Sequence, residues 1–167
     1  VPGIMSLIRG DTPFLDSEIP AANGVATARG LARMYGAIAN AGRFHGVEFL
    51  STETVAGLSG LPERQLDRNL GVPLSFHLGY HAMPFGKPPG FGHIGLGGSA
   101  GWADPASGLA IGFVHNRLVT PMVLDMAAFG GLNAVIRKDV AGARRRGYRP
   151  VADLGAGPFE LHTSVAG

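Results

Sequence analysis

Apolar residues recur at a helical period in the stretch NGVATARGLARMYGAIANAGRF. Leu31, Met34, Tyr35 and Ile38 fall at i, i+3, i+4 and i+7, which places them on one face of an amphipathic helix. Thr27 is suited to cap its start and Gly42 to close its end. Gly30 and Gly36 inside it each cost roughly 1 kcal/mol relative to Ala, so their presence predicts close packing against another element. A second, shorter helix is expected over TETVAGL, with Ser51 as its N-cap and with Leu50 and Val55 forming a hydrophobic staple across the first turn.

From Leu70 onward the period changes. SFHLGYHAM alternates Phe76, Leu78 and Tyr80 with His77, Gly79 and His81, and its bounds at Pro73 and Pro84 predict one strand. FGHIGLGGS and LAIGFVHN predict two more strands, paired as an antiparallel hairpin across residues 102–108, where Asp104-Pro105 and Ser107-Gly108 supply turn chemistry. After Pro121, DMAAFGGLNAVIRKDV reads as a closing helix with Asp125 as N-cap, Phe129, Leu132 and Ile136 on one face, and Arg137 and Lys138 near its end. Helices, then three strands, then a helix, without a repeat or an alternating β-α pattern, predict an α+β fold with an antiparallel sheet.

Composition narrows this picture without redirecting it. With 167 residues, 46% hydrophobic and only 16% charged, the chain suits one domain with its own core and is not a disordered sequence. The 27 Gly and 12 Pro favour strands and turns over a helical bundle. No apolar run approaches the ~20 residues that a membrane span needs, so none is expected. The absence of cysteine rules out disulfides, thiolate zinc sites and a cysteine nucleophile, and leaves the cellular compartment open. Net charge is +2, and Arg144, Arg145, Arg146 and Arg149 cluster near the end without interleaved aromatics, so a nucleic-acid partner is not expected. Residues 1–143 are assigned to the fold and residues 144–167 to a basic, then glycine-rich tail. The opening VPGIMSLIRGDTPF has none of the zones of a signal peptide and reads as the interior of a longer sequence.

Three motifs raise chemistry. His77 and His81 have H-x-x-x-H spacing, but along a strand four residues span about 13 Å, too far to share one metal, and no metal or cofactor is expected. Gly97-Gly98-Ser99-Ala100-Gly101 fits the G-x-S-x-G of a nucleophile elbow, with Asp104 or Asp125 and His115 or His162 as formal partners. That motif needs a helix directly after the serine, whereas AGWADPASG reads as a turn. The same objection meets a G-x-G-x-x-A dinucleotide pattern through Gly95, Gly97 and Ala100.

Two longer stretches, IPAANGVATARGLARMYGAIANAGRFHGVEFLSTETV and FGHIGLGGSAGWADPASGLAIGFVHNRL, resemble in their order and separation the C-terminal half of the serine β-lactamase-like family, which includes class C β-lactamases, penicillin-binding peptidases and related esterases. The resemblance runs from about Ile19 to Ile136. It implies an antiparallel sheet flanked by helices, with an active site lined by Ser-x-x-Lys, Tyr-x-Asn and a Lys- or His-containing triplet on a strand. The triplet corresponds here to His93-Ile94-Gly95. No serine has lysine three residues on, Ser6 being followed by Arg9, and Tyr35, Tyr80 and Tyr148 all lack asparagine two residues on. By the resemblance, Gly95 lets substrate lie against the strand, the Leu96 N–H supplies half of an oxyanion hole, and Gly97 and Trp102 belong to the substrate pocket. Histidine in place of lysine at position 93 is largely neutral at pH 7, which points to neutral esters or amides rather than carboxylate-bearing β-lactams. The chain then reads as part of a serine hydrolase, inactive by itself, whose partner is the missing N-terminal half or a second copy. A degenerate member acting as a binding module is the alternative, and a Ser99-based hydrolase a weaker one.

Overall fold

The computed structural model describes residues 9, 16–20, 23–60, 63–69, 71–83, 89–95, 97–116 and 122–148. Thr27 opens helix α1 (Ala28–Ala39), its hydroxyl accepting the Gly30 N–H at 3.1 Å. Asn40 caps the other end, and the Gly42 N–H returns to the Ala37 carbonyl at 2.7 Å. Tyr35 and Ile38 are buried as expected, while Met34 stays at the rim, 51% exposed. A hairpin, β1 (Arg43–Phe44) and β2 (Val47–Glu48), leads to α2 (Thr52–Leu58), where the Ser51 hydroxyl accepts the Thr54 N–H at 3.1 Å. Leu50 and Val55 both join the core cluster beside Tyr35, Ile38, Ala39, Phe91 and Ala103, as the staple requires.

A second hairpin follows, β3 (Gln65–Asp67) with β4 (Val72–Leu74), and then a five-stranded sheet. Its strands are β5 (Phe76–His77), β6 (Tyr80–His81), β7 (Phe91–Ile94), β8 (Ala100–Asp104) and β9 (Leu109–Phe113), in sequential order with every pairing antiparallel. The closing helix α3 spans Met122–Arg145. The α+β class with an antiparallel sheet is the one expected from the sequence.

Several local expectations are corrected. SFHLGYHAM is not one strand but a hairpin: Leu78 and Gly79 take φ of 47° and 84°, and Phe76 pairs with His81 and His77 with Tyr80. Positive φ at both central residues fits the twist of a two-residue hairpin loop. The chain reversal puts His81 on the face of Phe76 and opposite His77, so the expected alternation fails. The strands expected over FGHIGLGGS and LAIGFVHN do not pair with each other, because β8 lies between them, and residues 102–108 are not all connection. Ala100–Asp104 is a strand with every residue buried, and only residues 105–108 make the turn into β9. Asp125 lies in the first turn of α3 rather than at its cap.

The close packing predicted from the helix glycines comes from strand glycines instead. Around Gly30 and Gly36 the nearest neighbours of an added Cβ are ordinary contacts, 3.4 Å to Thr27 and 4.0 Å to Ala110. A Cβ on Gly101 would overlap the Tyr35 ring, and one on Gly112 would overlap the backbone of Ala28 and Ala32. The sheet therefore approaches α1 at van der Waals distance because β8 and β9 lack side chains there. On the opposite face Phe129 lies 6.3 Å from Trp102 and 6.1 Å from Phe113, ring centroid to centroid.

The chain divides into two compact units, Val1–Ala134 and Val135–Gly167. In the second unit the described residues carry α3 through its last turns, with Arg144 and Arg145 placed where positive charge favours the helix dipole. Gly147 at φ 78° and a Tyr148 N–H to Ala143 carbonyl bond of 3.0 Å end it.

Candidate active site

Strand β7 pairs with β8 along its whole length, from Phe91↔Ala103 to Ile94↔Ala100. Its register with β6 is confined to one pair, His81↔Gly92. Beyond Gly92, therefore, one edge of β7 has no strand partner among the described residues. Backbone donors of a strand alternate between its two edges. The Gly95 N–H points to the β8 side and donates to the Ser99 carbonyl at 2.8 Å, whereas the Ile94 N–H points to the open edge and donates to His81 Nε2 at 3.1 Å.

His93 stands on this strand as its exposed residue, with Phe91, Gly92 and Ile94 buried. Its ring lies 5.3 Å from His81 and 6.4 Å from Phe76. Partial removal from water by these neighbours lowers its pKa below the usual 6.5, and a hydrogen bond with the Gly79 backbone opposes that shift. The shift favours the uncharged imidazole at position 93.

His81, expected on the strand face shared with His77 and Gly79, is 1% exposed. Its Nδ1 lies 3.0 Å from the Ala82 carbonyl, which can only accept, so Nδ1 carries the proton and Nε2 is free to accept from Ile94. Burial lowers its pKa too, with the Ala82 bond acting in the other direction and His93 adding to the shift. His77 turns away to the Gly57 carbonyl at 2.8 Å. The sequence signal for His81 was present, a histidine beside an apolar strand, but the hairpin turn hid which face it occupies.

The glycines of this region fall into two groups. A side chain on Gly92 would strike the Gly101 carbonyl and the Trp102 ring, and one on Gly98 would strike His115 Nε2 and the Asp125 carboxylate, 2.6 and 2.8 Å away. At Gly95 an added Cβ meets, among the described residues, only the Ser99 carbonyl at 3.5 Å, an ordinary contact. Among the described residues, packing demands glycine at 92 and 98 but leaves space for a methyl at 95. Gly97 and Gly98 both take positive φ, 98° and 88°, in the turn from β7 to β8, closed by a 3.0 Å bond from the Gly98 N–H to the Gly95 carbonyl. Asp125 is buried beside this turn, and its Oδ2 has no hydrogen-bond partner among the described residues.

Ser99 is followed by strand β8 and not by a helix, so neither the nucleophile elbow nor the dinucleotide motif has its required context. Asp104, a formal triad partner, is occupied in the β8–β9 turn: Oδ1 accepts the Ala106 N–H at 3.1 Å and Oδ2 accepts the Ser107 hydroxyl. Trp102, expected at the pocket, is 1% exposed, and its indole N–H donates to the Pro89 carbonyl at 3.1 Å. Leu96, Ser6 and His162 lie outside the described residues. Tyr35 is buried under β7 and β8; desolvation foremost, and then Tyr80, raise its pKa far above the ordinary 10, despite a bond with the His93 backbone.

A Beta-lactamase family model matches residues 3–135. The chain belongs to the beta-lactamase family. Within that family it is 57% identical over 169 residues to the esterase/beta-lactamase LipL of Mycobacterium tuberculosis, in a match covering 99% of this chain and 39% of that protein. It thus spans about two fifths of the length of this curated relative. Among solved structures, a family VIII carboxylesterase is 30% identical with a TM-score of 0.63, over 77% of this chain and 37% of the other. A penicillin-binding protein homolog from Caulobacter crescentus is 31% identical with a TM-score of 0.52, over 56% and 26% of the respective chains. The helices and antiparallel sheet of this beta-lactamase family member are therefore part of the beta-lactamase and penicillin-binding protein fold, and its named relatives include hydrolases.

Proposed function

We propose that these residues work within a longer serine hydrolase that cleaves esters, in preference to β-lactams, by acyl transfer. In this reading β7 is the strand against which substrate lies. The nucleophilic serine, its lysine and the tyrosine lie outside the 167 residues, which contain neither Ser-x-x-Lys nor Tyr-x-Asn. The serine attacks the ester carbonyl, and the Leu96 N–H stabilises the oxyanion together with the N–H of the nucleophile itself. Collapse of the intermediate breaks the ester C–O bond and expels the alcohol, which takes up a proton; water then attacks the acyl-serine, releasing the acid and restoring the serine hydroxyl. Trp102 supports the strand from within the sheet, and Gly97 relieves crowding beside the pocket.

The observation that carries this reading is the room at Gly95, a glycine that packing among the described residues does not demand at the point where the open edge begins. The ester preference rests on His93: a neutral imidazole offers a substrate carboxylate no fixed positive charge, where a lysine would. The exposed side chains of Leu66, Phe76, Leu78, Val123 and Leu124 are apolar surface that the rest of such an enzyme, or a second copy, would cover. The test is a comparison of p-nitrophenyl butyrate with a chromogenic cephalosporin as substrates of the full-length protein. Ester turnover well above β-lactam turnover is expected; efficient β-lactam hydrolysis without esterase activity would overturn the proposal.

A further inference from the structure

Resting on the oxyanion role proposed for this strand, we infer that His81 is a positioning residue whose neutral imidazole accepts the Ile94 N–H and thereby fixes the Ile94–Gly95 backbone for catalysis. The need for such a clamp follows from the topology. β6 is two residues long and shares one register pair with β7, so the ladder that would ordinarily hold the end of β7 stops at Gly92. A backbone donor left without a partner in a buried setting pays the full cost of its lost hydration. An imidazole supplies one acceptor at a fixed angle. Here the ring is held, because Nδ1 is tied to the Ala82 carbonyl and its centroid lies 5.3 Å from that of Phe76, 5.3 Å from that of His93 and 6.4 Å from that of Trp102, each in a T-shaped arrangement.

Only the uncharged ring can do this. Protonation would turn Nε2 into a donor facing the Ile94 donor and push the strand end away. Among the described residues His93 is the titratable group whose ring packs against His81; Phe76, Trp102 and the Ala82 carbonyl are uncharged. His93 in its neutral form leaves that balance undisturbed, and in its charged form opposes a second charge on His81.

Two variants of the full-length enzyme separate positioning from mere packing. His81→Phe keeps the ring bulk and removes the acceptor; His81→Gln keeps an acceptor oxygen that does not titrate. With p-nitrophenyl butyrate, His81→Phe should lower kcat by about ten- to a hundredfold with KM close to wild type, less than the loss from deleting an oxyanion donor outright. Amide exchange at Ile94 should quicken in the same variant, and His81→Gln should recover much of both. In His81→Gln the acid limb of the kcat profile should also move to lower pH, which remains readable should His81→Phe fail to fold. A His81→Phe enzyme with faster Ile94 exchange but unchanged kcat, or an unmoved acid limb in His81→Gln, would overturn the positioning role while leaving the esterase reading intact. A wild-type enzyme without any ester turnover would instead remove the reading on which the inference rests, and the inference with it.

Discussion

Strand β8 and the β5–β6 hairpin belong to the same sheet but are held by different means. All five residues of β8 are buried, it is paired on both edges, and Gly101 and Trp102 fit against Tyr35 and Phe129 on its two faces. The hairpin has two-residue strands, a 67%-exposed Leu78 in a left-handed conformation, and an aromatic cluster, Phe76, His81 and His93, in place of a long ladder. Interior packing fixes β8 and, through β8, one edge of β7. The other edge is left to the hairpin, and this is where the candidate site opens. Rigid support on one side and, among the described residues, an edge without a strand partner past Gly92 on the other is what a strand that receives substrate requires.

The contrast can be broken most severely from the interior. Trp102→Ala should destabilise the full-length protein by about 3–5 kcal/mol, read in a denaturant melt, since a fully buried indole and its bond to Pro89 are lost together. Gly101→Ala should cost about 1–3 kcal/mol by driving a methyl into the Tyr35 ring. The pH dependence sharpens the comparison at the hairpin. His81 and His93 both have folded pKa values below the ordinary 6.5, so the unfolded chain takes up protons that the native state refuses. Their contribution to stability is complete above pH 6.5 and is lost as pH falls from there through the lowered folded values. Melts across pH 7 to 5 should show this decline, less steeply in His81→Gln. The smallest effect is a gain: Leu78→Asn suits the positive φ better and should stabilise by about 0.5–1 kcal/mol.

The same contrast explains what the sequence disclosed. Thr27 and Ser51 were legible as caps because capping is local chemistry between a hydroxyl and an N–H three residues on. The strand expected over FGHIGLGGS holds only for Phe91 to Ile94, because Gly97 and Gly98 take positive φ and turn the chain into β8. The hairpin turns were not legible, because His45-Gly46 and Leu78-Gly79 put residues that rarely adopt positive φ at the first turn position. Strand β8 escaped because Ala100, Gly101 and Ala103 produce no alternation, and a strand buried on both faces does not need one. Asp125 looked like a cap by residue type, yet α3 starts earlier and buries it. His81 was visible as a residue, but its partner, a backbone N–H thirteen positions away, exists only after the chain reverses at Leu78-Gly79.

The most direct measurement is made at the glycine that the fold can spare. Gly95→Ala in the full-length enzyme places a methyl at ordinary distance from the Ser99 carbonyl, so its melting behaviour should match wild type. If substrate lies against β7, the same methyl should lower kcat/KM for p-nitrophenyl butyrate by about tenfold or more. A stable Gly95→Ala enzyme with wild-type ester kinetics would contradict the assignment of this strand to the active site.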